Sequence, residues 1–89
     1  MEVENMPVLS RFYGIVIRMY FQQAEHQPPH IHAIYGDEVA AFNVETGNVI
    51  EGKLPQKADS MVREWIGIHQ EELMHIWNTQ EFKAIAPLE

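Results

Sequence analysis

One stretch constrains this chain more than any other: H-I-H-A-I-Y, then G-D, then E-V-A-A-F-N, from His30 to Asn43. Gly36-Asp37 is a two-residue connection of the kind that closes tight antiparallel hairpins. It sets Tyr35 opposite Glu38, Ala33 opposite Ala40 and Ile31 opposite Phe42. Opposed residues share a face of the pair. Ile31, Ala33, Ala40, Phe42 and Val44 therefore gather on one side. A slip of one residue would send that apolar set to the wrong face.

The neighbouring segments extend the hairpin into a sheet. I-V-I-R-M-Y-F, Ile15 to Phe21, is rich in β-branched and aromatic residues and alternates Ile15, Ile17, Met19 and Phe21 with Val16, Arg18 and Tyr20. It reads as a strand. Gln22 to Pro29 reads as an irregular loop, because proline cannot donate to a ladder. Thr46-Gly47 suggests a second hairpin into N-V-I-E, with Val49 opposite Val44. The expected sheet is a four-stranded, mainly antiparallel meander. Pro55 then opens a helical segment, and proline suits a first helical turn. Ala58, Val62, Trp65, His69, Leu73 and Ile76 form an amphipathic stripe, widened by Met61, Ile68 and Trp77. The pattern predicts one helix of about 25 residues, ~37 Å long, with Gly67 as a place for a bend or a close approach. The tail F-K-A-I-A-P-L-E is apolar enough to dock, with an edge strand as one form it could take. The fold class is α+β: residues 7–89 as a single domain, residues 1–6 as a flexible extension.

At 89 residues the chain suits one modest core. It has no cysteine, which excludes a disulfide framework and fits a reducing cytoplasm. No apolar run approaches the ~18 residues of a membrane span. Thirteen acidic residues face six basic ones, a formal charge of -7. That balance disfavours a dedicated nucleic-acid binder, which needs clustered cations, and favours solubility or a basic partner.

A single helix covers only one face of such a sheet. The other face is expected to carry Arg18, Tyr20, His30, His32, Ile34, Ala41, Asn43 and Ile50. Three of the five histidines lie in H-Q-P-P-H-I-H, His26 to His32. His30 and His32 share a strand face, and His26 lies upstream on the loop. Three neutral imidazoles can hold Zn²⁺ or another divalent transition metal, which makes His26, His30 and His32 metal candidates. A second chemistry is acid–base catalysis: His30 or His32 with Arg18 and Tyr20 would supply the base, acid and cation of a metal-independent nuclease. The plain alternative is a solvated polar face. No other cofactor is indicated. His69 reads as a half-buried histidine with a local partner, His75 as solvated, and Trp65 and Trp77 as core or helix-end anchors.

Four segments together resemble a known family: R-F-Y-G-I-V-I-R-M-Y (Arg11 to Tyr20), H-Q-P-P-H-I-H-A-I-Y-G (His26 to Gly36), E-T-G-N-V-I-E-G-K-L-P (Glu45 to Pro55) and V-R-E-W (Val62 to Trp65). The chain is similar, from about Pro7 to Leu88, to the small prokaryotic domain of unknown function (DUF) family 4160. I-A-P-L near the end matches that family's usual close; the acidic residues before Met6 depart from it. The family has no established activity or catalytic residue, so the resemblance assigns no role. It implies a small bacterial cytoplasmic protein, often encoded beside another uncharacterised domain, family 2442, as a toxin–antitoxin-like pair. The leading expectation is an interaction module with a protein partner or a homodimer. The alternative is a metal-binding protein or nuclease built on the histidine face.

Overall fold

The computed structural model describes residues 6–20 and 27–89. Antiparallel pairing links five strands in chain order: β1 (Val8–Phe12), β2 (Ile15–Arg18), β3 (His30–Tyr35), β4 (Glu38–Asn43) and β5 (Val49–Gly52). The β3–β4 register is the expected one, with Ile31 opposite Phe42 and Ala33 opposite Ala40. The residue pattern leaves the β2–β3 register open, because a long loop separates the two strands. The structure pairs Ile17 with Ala33 and Arg18 with His32. Ile15, Ile17, Ile31, Ala33, Ala40 and Phe42 accordingly form one fully buried face. Phe21, also expected there, lies outside the described residues, as do residues 1–5 of the expected extension.

The sheet has five strands where the residue pattern suggested four. V-L-S-R-F is short, and Ser10 and Arg11 break its alternation. A register shift between Val8 and Ser10 further blurs the period. What holds β1 in place is the hairpin to β2, closed by Tyr13 and Gly14, both in the left-handed region at φ 50° and 82°. Two positive φ values are the signature of the primed turns that match strand twist. Only the glycine was a visible marker.

The second hairpin also differs. Val49 pairs with Phe42, not with Val44, and the register shifts between Ala41 and Phe42. Val44 instead gives its amide to the Pro29 carbonyl at 2.9 Å, prolonging the β3 side. The Asn43 side chain explains the preference. Its Oδ1 accepts from the amides of Glu45 (2.7 Å) and Thr46 (3.1 Å), which folds the loop early.

Two helices replace the single long one: α1 (Gln56–Ile68) and α2 (Gln70–Thr79). The break falls at His69, at φ -110° and ψ 20°, two residues beyond Gly67. At this break Gln70 gives its side-chain amide to the carbonyls of Val44 and Glu45, each at 2.9 Å. Ala58, Val62, Trp65, Leu73 and Ile76 are buried as expected. Ile68 is not; it is 61% exposed, and Ile66 takes the buried place beside Trp65. His69 Nδ1 lies 2.6 Å from Glu72 Oε1, and its ring packs against the Trp65 indole. The tail docks without forming a strand. The Ile85 amide donates to the Leu9 carbonyl at 2.8 Å, and the Trp65 indole N–H donates to the Ala86 carbonyl at 2.9 Å. Pro87 has no amide to continue the ladder.

Candidate functional site

Helices cover one face of the sheet, and the face opposite carries the residues singled out for chemistry. The β2–β3 and β4–β5 pairings line up Arg18, His32, Ala41 and Glu51 across four strands. Beside that row runs an apolar one, Val16, Ile34 and Val39, also set by the register. At the His30 end lies an open cleft of about 340 Å³. His30, His32 and Tyr20 line it, with Pro28, Ile50 and Glu51 around them. Tyr20 stands just beyond the end of β2, not within it.

His30 and His32 meet edge to face, with ring centroids 5.2 Å apart, and the Trp77 ring of α2 closes on His30 at 5.3 Å. The Pro28 carbonyl accepts from His30 Nδ1 at 2.8 Å. A carbonyl can only accept, so Nδ1 carries the proton and Nε2 is the neutral ring's acceptor. The proline pair thus has a local role, since it presents a carbonyl that orients the first histidine. His32 is set differently. Its Nδ1 is buried without a hydrogen-bond partner among the described residues. An imidazolium would bury an unsatisfied N–H there. Burial, and after it the neighbouring His30, hold its pKa below the ordinary 6.5, with Glu51 acting in the opposite sense.

The expected constellation is only partly assembled. His30, His32 and Tyr20 come together. Arg18 shares their face and is His32's partner in the register, yet its guanidinium donates to the Met6 carbonyl at 2.7 Å and does not line the cleft. His26, the third metal candidate, lies outside the described residues. Among the described residues, no group of three or more His, Cys, Asp or Glu is placed to hold a metal ion. Glu51 does not stand out in the residue pattern. Its place in the cleft depends on the irregular β4–β5 register, which no periodicity reveals.

The family model described as "Domain of unknown function (DUF4160)" matches residues 14–78. The chain belongs to this family. The match spans β2 to nearly the end of α2 and includes Arg18, Tyr20, His30, His32 and Glu51. It leaves β1 and the docked tail outside. No curated protein and no solved structure matches the chain. Among the described residues of this DUF4160 domain, no helix is long and apolar enough to cross a membrane.

The setting of His32 predicts a pH effect. Its folded pKa is lowered, so between that value and 6.5 the unfolded chain binds more protons. Its contribution is neutral above 6.5 and becomes destabilising as pH falls through this window. Urea midpoints measured from pH 7.5 to 5 should decline on the acid side, and less steeply in His32→Asn. Parallel curves for the two proteins would show that His32 does not carry the effect.

Proposed function

We propose that this DUF4160 chain is a cytoplasmic interaction module that works through the uncovered face of its sheet, as one member of a toxin–antitoxin-like pair. One observation supports it above the rest: apolar side chains on the face away from the helices. Val39 is 48% exposed there, in one cross-strand row with the half-buried Val16 and Ile34, and Ile50, also 48% exposed, stands at the cleft on the same face. Contiguous exposed apolar surface rimmed by polar groups is characteristic of protein contacts. The paired partner rests on the family resemblance. A second copy of the chain is the simplest alternative occupant, since two-fold dimers are the commonest oligomers.

The nuclease reading is less well supported. Phosphate chemistry needs a cation at the reacting group, and no lysine or arginine is among the described residues lining the cleft. The metal reading would need more ligands than His30 and His32.

Ile34→Glu and Val39→Glu place charges in the middle of the proposed surface without entering the core. Each should weaken binding to a family 2442 protein, the partner that the resemblance implies, by at least tenfold, about 1.4 kcal/mol, in calorimetry. Light scattering reports self-association in the same samples. A partner that binds both variants as tightly as the native chain, or a native monomer that binds nothing, would sink the proposal.

A further inference from the structure

The cleft at the end of the open face has an unusual balance of groups. It contains the Glu51 carboxylate and, among the described residues, no basic side chain. The nearest arginine in the register, Arg18, is turned to the Met6 carbonyl. Its histidines do not restore the balance. His30 donates its Nδ1–H to the Pro28 carbonyl, so that donor is turned away from an incoming group. His32 is held below its ordinary pKa, so it adds no positive charge at neutral pH. Tyr20 contributes a ring that is 38% exposed, and Ile50 an apolar wall. Ala41, between His32 and Glu51 in the cross-strand row, leaves the floor low. The volume, about 340 Å³, is at the small end for ligand clefts and ample for one long side chain.

Gln27, Tyr20 and the histidines can each donate or accept, so Glu51 supplies the one full charge among the described lining residues, beside an aromatic wall. An incoming phosphate or carboxylate would meet Glu51 with no cation to offset it. An ammonium would satisfy Glu51 but is compact and strongly hydrated. A guanidinium is planar, weakly hydrated, carries only donors and stacks on aromatic faces. Its fork can bond a carboxylate and a second acceptor together. We infer that the cleft of Tyr20, His30 and Glu51 receives an arginine side chain presented by a basic protein partner. The inference rests on the interaction-module reading and names the partner's chemistry. A protein is the source, not free arginine, because the apolar row Val16, Ile34 and Val39 lies beside the cleft row and a lone amino acid would leave it uncovered. The charge of -7 on the chain favours the same kind of partner.

The test uses ¹⁵N-labelled full-length protein and capped tripeptides, acetyl-Val-X-Ile-amide, with X as arginine, lysine or citrulline. The arginine peptide should shift the amides of His30, His32, Ala41, Ile50 and Glu51 and bind about tenfold more tightly than the citrulline peptide, which keeps the shape and loses the charge. It should also bind more tightly than the lysine peptide and than free arginine amide. Glu51 is exposed, so Glu51→Gln should keep the native spectrum while weakening the arginine peptide about tenfold. Equal binding of the citrulline peptide, shifts confined to another surface, or an unaffected Glu51→Gln each overturn the assignment. Free arginine amide that matches the peptide overturns the protein source. Binding of a family 2442 protein, the partner of the module reading, separates the two readings. If that partner binds Glu51→Gln as well as it binds the native chain, the arginine assignment fails and the module reading stands. If the native chain binds no partner at all, the module reading itself fails.

Discussion

Gly52→Ala is expected to lower stability by about 2–4 kcal/mol, a large share of what a domain this size possesses. Gly52 ends β5 at φ +76°, and a methyl group there would run into the Val39 carbonyl oxygen, with the Ala40 Cα only 3.1 Å away. Both obstacles are backbone, so neither can swing aside. Gly47 is the control. It has nearly the same conformation, φ +78°, but a methyl group there meets nothing within 4 Å. Gly47→Ala should therefore cost only the left-handed strain, ~1–2 kcal/mol. The difference between the two variants in urea unfolding isolates the clash. Equal losses would show that Val39 and Gly52 are not in close contact. Because Ile50 and Glu51 belong to the same strand, Gly52→Ala should also disperse the cleft, visible as lost β5 cross-peaks before global unfolding.

Trp65→Ala is expected to cost about 3–5 kcal/mol. The indole is fully buried, stacks on Phe12 with centroids 5.7 Å apart, and contacts the His69 ring as well. It joins the helical layer to β1 and to the tail at once. Trp65→Phe separates packing from hydrogen bonding. It retains most of the apolar area but leaves the Ala86 carbonyl without its donor, a loss of about 1–2 kcal/mol. In hydrogen exchange, the Ile85 amide should lose protection in Trp65→Phe while the β3 amides keep theirs. Unchanged protection at Ile85 would mean that the tail is held by something other than the indole.

Particular residues show why some of this architecture could be read in advance. The β3–β4 hairpin carries both its turn and its face in the local pattern, so Ile31, Ala33, Ala40 and Phe42 were placed correctly. The open face followed from the same parity, including His30 and His32. Elements whose position depends on distant partners were not legible. β1 owes its place to β2 and to the tail, and Ser10 and Arg11 disguise its alternation. The break at His69 coincides with Gln70 reaching the Val44 and Glu45 carbonyls, contacts between segments far apart in the chain. Gly67, the visible helix weakener, stands in open space, so it serves no close approach, and the break comes two residues after it. At the site, residue type identified the histidines but could not aim Arg18, whose orientation is set by a backbone carbonyl of Met6. Glu51 was hidden for a related reason, since a shifted register decides which strand position reaches the cleft.

The bond between Leu9 and Ile85 gives two segments far apart in the chain a shared duty. It is among the most non-local contacts in the fold, and its loop-closure entropy must be met before it contributes anything. During synthesis the sheet and α1 can assemble while Ile85 is still to come. Until Ile85 and Ala86 arrive, β1 has an open edge and the Trp65 indole lacks its acceptor, which is the kind of surface that pairs with other chains. The segment around Ile85 thus acts as a closing seal, and a chain truncated before Ile85 should be prone to self-associate well before it loses its fold.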